Sequence, residues 1–297
     1  MITVFGSTNL DQVGTVSRLP KPGETVAGGT FSMAAGGKGA NQALAARRAG
    51  AEVRHFSAVG ADAFADLALD LLKADGVDLS NVKISNGPTG IAMIFVDGHG
   101  ENVIAVLPGA NGTLTAADAD KALAGLGKGA VLMLQQEIPQ AATARALDLA
   151  KAQGVISILN TAPYLADTKA IAPKAAILVA NETEFGLLSG SSIEELDAAM
   201  LDWSTAHDQT VIVTLGPDGA KAATPKGVFQ VPAMKVKPVD TVGAGDTFCG
   251  YLAAGLDSGL DLEAAMRRAA VAASLACLNP GAQPAIPYAK DVAAAQD

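Results

Sequence analysis

The sequence predicts an α/β fold: a central, mostly parallel sheet between two layers of helices, with a small β-sheet flap attached. Three observations carry that prediction. Short apolar runs alternate with helical patterns over most of the chain, the rhythm of strand–helix–strand units. Several runs are continuously apolar, as strands covered on both faces must be. Two segments lack helical spacing, and these supply the flap.

Ile2–Gly6 opens the chain as a buried strand, and Asn9 and Asp11 follow it. They stand at the carboxyl edge where open α/β sheets bind ligands. Gln12–Ser32 alternates around Pro20-Lys21-Pro22-Gly23, with no room for a helix. The glycines of Gly36-Gly37-Lys38-Gly39 then lead into a helix over Gly39–Ala49. A strand over Val53–Val59 and a helix over Asp62–Ala74 come next. Gly90–Leu107 reads as a hairpin, Ile91–Val96 and Asn102–Leu107 around Asp97-Gly98-His99-Gly100. Residues of roughly 10–36 and 89–107 thus form the flap, an arrangement suited to a lid, on a single domain of residues 1–297.

Beyond the flap, helices over Thr115–Leu126, Ala141–Ala152 and Ile193–Ala206 alternate with strands over Val131–Gln135, Val155–Leu159, Ile177–Ala180 and Val211–Leu215. Helical spacing runs from Asp246 to Leu278 with a break near Asp257-Ser258-Gly259, before a Gly/Pro-rich tail.

Thirty acidic against 21 basic residues give a net charge of −9, which argues against nucleic acid or an anionic membrane as partner. No apolar run reaches the ~18 residues of a membrane span. The opening strand lacks the charged region and cleavage site of a secretory leader. Only Cys249 and Cys277 occur, each within an apolar helical pattern, which suits a reducing compartment. A cytoplasmic protein is expected. His55, His99 and His207 have no metal-ligand spacing.

Chemistry concentrates in Asp240-Thr241-Val242-Gly243-Ala244-Gly245-Asp246-Thr247. A Gly-rich turn into a helix N-terminus presents unpaired N–H groups and the positive end of the dipole, an anion cradle. A carboxylate inside such a cradle has two readings. Asp246 caps the helix, or it takes a proton from a hydroxyl about to attack a bound phosphate.

The second cluster is Gly36-Gly37-Lys38-Gly39-Ala40-Asn41-Gln42. Lys38 and Asn41 lie one helical turn apart and can share a ligand. The spacing is not that of a Walker A loop, and Gln42 stands where a dinucleotide fingerprint needs its third glycine. Asn9 and Asp11 are either a donor–acceptor pair for vicinal hydroxyls or turn residues. Glu137 is a further polyol contact or surface. Asn181-Glu182-Thr183-Glu184 opens a helix, either for dipole reasons or for a magnesium–water network. Thr214-Leu215-Gly216-Pro217-Asp218-Gly219 ends a strand as a nucleotide-contacting loop would.

Taken together, these segments resemble the ribokinase (PfkB) family of sugar kinases. Gly6-Ser7-Thr8-Asn9-Leu10-Asp11, Pro22-Gly23-Glu24-Thr25 and Gly281-Ala282-Gln283-Pro284 match in order with the two glycine signatures, so the resemblance spans nearly the whole chain. It implies the ribokinase-like three-layer fold and ATP-dependent phosphorylation of a primary sugar hydroxyl, O5 if the sugar is D-ribose. Asp246 would be the base, with Gly243, Ala244 and Gly245 as anion hole. Asn9, Asp11, Gly37, Lys38, Asn41, Glu137 and Asp246 would bind the sugar. Asn181, Glu184, Thr214, Gly216, Gly219 and Gly245 would face the nucleotide, with Glu184 reaching Mg²⁺ through water. A monovalent cation, K⁺, would sit on the carbonyls of Asp240, Val242, Ala276, Asn279 and Gly281. Ala285 replaces a family side-chain ligand there, which puts cation affinity in doubt. The flap would be the lid and the homodimer contact, and Ile91 or Met93 would cover the sugar. Alternatives are a family kinase for another furanose, keto-sugar or nucleoside, or a sugar- or nucleotide-binding protein without turnover.

Overall fold

The computed structural model describes residues 1–296. Its first strands are β1 (Ile2–Phe5), β2 (Asn9–Val16) and β3 (Gly28–Gly36), followed by helix α1 (Lys38–Arg48). Then come β4 (Val53–Gly60), α2 (Ala63–Ala74), β5 (Val82–Ser85), β6 (Gly90–Val96), β7 (Asn102–Leu107) and α3 (Ala116–Leu123). β8 (Val131–Leu134), α4 (Gln140–Gln153), β9 (Ile156–Asn160), α5 (Thr168–Ile171), β10 (Ile177–Asn181), α6 (Glu182–Ser189) and α7 (Leu196–His207) continue the alternation. β11 (Thr210–Thr214), β12 (Ala220–Thr224), β13 (Gly227–Val231), α8 (Ala244–Asp257), α9 (Leu262–Ala276) and α10 (Ala289–Gln296) complete it.

Nine strands form the large sheet in the order β13-β12-β11-β10-β9-β8-β1-β4-β5. Pairing is parallel from β11 to β5, and β12 and β13 are antiparallel additions at one edge. The period of two divides each apolar strand between two cores. Ile2, Val4, Val131, Met133 and Val179 face the helices α1, α8 and α9, together with Tyr251, Leu252 and Met266. Phe5, Leu132, Leu134, Leu178 and Val213 face α3, α4, α6 and α7, together with Leu147, Phe185 and Met200. Each Leu or Phe fully buried in this way contributes about 1.5–3 kcal/mol.

The second sheet runs β3-β2-β6-β7. It contains the predicted flap segments, and its root lies where Asn9 pairs with both Gly36 and Gly90. Ile91 and Met93 do not cover the face expected of them. Asp11 is opposite Ala92, so the two neighbours of Ala92 point to the other side. That other side carries Phe31, Met33, Met93, Phe95 and Val103, all well exposed.

The predicted strands and helices are present with ends shifted by a few residues. Asp62 and Thr115 prove to be N-caps of α2 and α3. The sequence reading lacked β5, β12, β13, α5 and α10, whose last turns were read as tail. Among the described residues no helix is long and apolar enough to cross a membrane. Both cysteines are free thiols, Cys249 fully buried.

Candidate active site

Helix α8 starts where Gly243 turns the chain with φ 77°, and that residue has no side-chain cap. A Cβ on Gly243 would stand 2.9 Å from Ala282, so glycine is required twice over. At Gly245, by contrast, a Cβ would meet nothing within 4 Å. Packing does not demand that glycine; it leaves the wall of the cavity open. Ala244 N–H donates weakly to the Thr241 carbonyl at 3.3 Å. The remaining first-turn N–H groups lack acceptors within the helix, as every helix start does.

Asp246, one residue on, is 7% exposed. Its carboxylate caps nothing in α8; its partners are on α1. Asn41 Nδ2 donates to Oδ2 at 2.9 Å and Gln42 Nε2 to Oδ1 at 3.0 Å. The two helices approach closely because Gly250 of α8 lies against Ala45, Ala46 and the Gln42 carbonyl. Asn41 Oδ1 is a buried acceptor with no partner among the described residues.

Asn9 and Asp11 enter from β2, Lys38 from the start of α1, and Glu137 from the loop after β8. Glu137 Oε2 accepts from Ser7 Oγ at 2.6 Å and from Lys38 N–H at 3.0 Å. Burial pushes the Asp11 carboxyl up to about 7, and the negative charges of Glu137 and Asp246 add to this against Lys38. Burial works against charge on Lys38, but Asp246, Glu137 and Glu184 outweigh it and hold its ammonium above the usual value. The charges of Asp11, Glu137 and Asp246 are therefore coupled to that of Lys38. At Gly37, with φ 88°, an added Cβ would stand 2.7 Å from Asn9 N. Its glycine serves the close approach of α1 to the loop after β1.

A cavity of about 820 Å³ lies at the start of α8. Asn181, Thr214, Gly216, Gly219 and Gly245 line it, with Val236, Pro238 and Ala273 among its apolar walls. Asn181 and Thr214 meet there because β10 and β11 pair in register at their last residues. Glu184 does not line this cavity. Its Oε2 accepts from Asn181 N–H at 3.0 Å and from Thr161 Oγ1 at 3.3 Å, the former as half of a capping box. Its neighbour Glu182 lines the cavity instead.

The carbonyl segments singled out for a cation are held side by side. Val239 N–H donates to the Cys277 carbonyl at 2.8 Å, and Gly281 N–H to Asp240 Oδ2 at 2.8 Å. Ala285, 4% exposed, brings no polar side chain.

Sequence reasoning missed several residues that shape this site. Asn111 donates to Asn9 Oδ1 at 2.7 Å, and Gln135 and Asn160 bond Gln42. The Asn41-Gln42 pair after the glycines was the one available signal, two adjacent polar residues buried among Gly39, Ala40, Ala43 and Leu44.

A family model for the pfkB family of carbohydrate kinases matches residues 1–289. The chain belongs to the PfkB family of carbohydrate kinases. It is a phosphotransferase acting on a sugar hydroxyl, in a family that uses ATP with a divalent metal. It is 37% identical to a ribokinase of Staphylococcus aureus over 98% of both chains. It is 35% identical to a deoxyribokinase of Salmonella typhi over 96% of this chain and 95% of that one. Its fold matches the crystal structure of ribokinase from Thermotoga maritima with a TM-score of 0.89 and 33% identity, covering 99% of this chain and 98% of that one. The same TM-score, at 31% identity, relates it to Arabidopsis thaliana ribokinase complexed with ribose and ATP, covering 99% of this chain and 97% of that one. The PfkB assignment confirms the ribokinase-like three-layer fold expected from the glycine signatures.

Proposed function

We propose that this PfkB kinase phosphorylates D-ribose at O5, with Asp246 as general base. The carrying observation is the Asp246 carboxylate. It is buried on the first turn of α8, one residue from the open Gly245 and bonded to α1, which bears Lys38 and Asn41. In the reaction Asp246 accepts the O5 proton, O5 bonds to the γ-phosphorus of ATP in line, and the bond to ADP breaks. N–H groups of Gly243, Ala244 and Gly245 stabilise the charge on the transferred phosphoryl oxygens.

Asn9, Asp11, Gly37, Lys38, Asn41 and Glu137 hold the sugar, Asp11 and Glu137 accepting from hydroxyls and Lys38 donating. The unpartnered Asn41 Oδ1 suits a sugar hydroxyl, which would satisfy it. ATP occupies the cavity of about 820 Å³, its base between the apolar walls and its phosphates toward Gly245. Among the described residues no three acidic, Cys or His side chains gather as a metal cage. That fits Mg²⁺ held by the phosphates and water, with Glu184 at one remove. Magnesium supplies charge neutralisation of the phosphates. The carbonyl set of Asp240, Val242, Ala276, Asn279 and Gly281 suits K⁺, whose hydration shell carbonyl oxygens can replace. The exposed apolar face with Phe31, Met33, Met93 and Phe95 fits a second copy of this chain, so the small sheet serves as lid and dimer contact.

The deciding experiment is sugar-dependent ADP release with Mg·ATP across ribose, deoxyribose, fructose, ketodeoxygluconate and adenosine. Ribose preferred by kcat/KM supports the reading. Turnover with another acceptor alone moves the substrate elsewhere in the family, with deoxyribose favoured next by the deoxyribokinase relative.

A further inference from the structure

Gln42 is 1% exposed and sits on the buried side of α1. A side chain needed only for packing there would be apolar, because burying an amide costs free energy unless its groups are paired. This amide is paired on both ends. Nε2 donates to Asp246 Oδ1 at 3.0 Å and to Asn160 Oδ1 at 3.2 Å, and Oε1 accepts from Gln135 Nε2 at 2.6 Å.

The orientation of the amide is fixed from outside. Asn160 Nδ2 donates to the Val179 carbonyl at 3.2 Å, which leaves Asn160 Oδ1 as the atom facing Gln42. A flipped Gln42 would set its oxygen against that oxygen and against a carboxylate. Gln135 in turn fits only because residue 6 is glycine, where any Cβ would overlap the Gln135 side chain. Bonds therefore run to Gln42 from β10 through Asn160 and from the end of β8 through Gln135, and from Gln42 to Asp246.

We propose that Gln42 is a positioning residue for Asp246: it ties one carboxylate oxygen to the sheet edge while Asn41 holds the other. The inference rests on Asp246 being the base. A carboxylate on the first turn of a helix can rotate about its side-chain bonds. Donors from two adjacent residues, one on each oxygen, fix both the plane of the carboxylate and its distance from the sugar side. Both N–H groups of Gln42 go to Asp246 and Asn160 and its oxygen accepts from Gln135, so its effect passes through Asp246.

The test is Gln42→Met, similar in length and without donors, made in the wild-type and in an Asp246→Asn background. Turnover and sugar binding by calorimetry are measured for each. In the wild-type background kcat should fall about 10- to 100-fold, the range for a misplaced catalytic group. Sugar Kd should stay within about threefold, a loss confined to the transition state. In the Asp246→Asn background the same change should cost less than about twofold, because groups acting as a unit are not additive. Wild-type kcat in Gln42→Met, or an equal fractional loss in both backgrounds, overturns the proposal. Gln135→Met removes only the support behind Gln42 and should lower kcat in the same direction by less. Should Gln42→Met not fold, an unchanged kcat in folded Gln135→Met overturns the proposal instead. Wild-type turnover in Asp246→Asn alone contradicts the base assignment, a failure separate from that of Gln42.

Discussion

Asn111 Nδ2 donates to Asn9 Oδ1 at 2.7 Å, although the two residues are far apart in sequence. Asn111 sits in the short turn that follows β7, and its other bonds go to Thr8 N–H and the Thr8 carbonyl. With its oxygen already accepting from Asn111, Asn9 offers a ligand chiefly its N–H groups, so it acts as a donor beside the acceptor Asp11. The end of the small sheet thus sets the polarity of the sugar side.

Replacing Asn111 by Leu should unpair Asn9 Oδ1 and both Thr8 groups, each loss costing about 1–3 kcal/mol. Sugar KM should rise about tenfold or more, with a lower Tm and a smaller change in kcat. Steady-state kinetics check this. An unchanged sugar KM in a folded Asn111→Leu would show that the bond to Asn9 is not used in binding.

Asp11 makes the site pH-sensitive. Its carboxyl titrates at about 7 when folded, against 3.8 ordinarily, because of burial, Glu137 and Asp246, with Lys38 opposing. Between those values the folded chain holds a proton that the unfolded chain has released. The stability contribution is therefore greatest below the ordinary value and falls as pH rises toward about 7. Sugar hydroxyls donating to the ionised carboxylate favour the charged form, so sugar Kd should tighten as pH rises through about 7. Calorimetry in two buffers should show proton release on binding. Asp11→Asn should remove the pH dependence while weakening affinity.

Gly250→Ala sets helix propensity against packing. Alanine gains about 1 kcal/mol in a helix interior. Here its Cβ would press on Ala45 and stand 2.7 Å from Ala46 N and 2.8 Å from the Gln42 carbonyl. Overpacking of that kind costs about 1–3 kcal/mol. A lower Tm is expected, with kcat reduced because α1 and α8 carry opposite halves of the site. A Tm equal to or above wild type contradicts the close contact.

Exchanging K⁺ for tetramethylammonium should slow turnover, since the larger ion cannot enter a ring of carbonyl oxygens. Rates measured at equal ionic strength check this, and equal rates would leave the Asp240–Gly281 loops without a cation role.

Much of this was legible in the sequence because it rests on local rules. Continuous apolar runs reported strands buried on both faces, and glycines before Lys38 and Asp246 reported helix starts at ligand edges. What was not legible depends on topology. β12, with the sequence Ala220-Lys221-Ala222-Ala223-Thr224, has little strand propensity and is held by pairing with β11 and β13. Asp246 reads from its own segment as cap or base, and only the folded chain reveals that its carboxylate bonds Asn41 and Gln42 of α1. Met93 was placed over the sugar because its strand was known but its register was not. One residue of register turns a side chain to the opposite face.

Asp246→Asn tests the central assignment most directly. The amide keeps the size of the carboxylate and removes its capacity to accept the O5 proton. Turnover with ribose and Mg·ATP should fall by two or more orders of magnitude, about the range for lost general base catalysis, while calorimetry shows ribose still bound. Turnover at the wild-type rate would contradict Asp246 as the base.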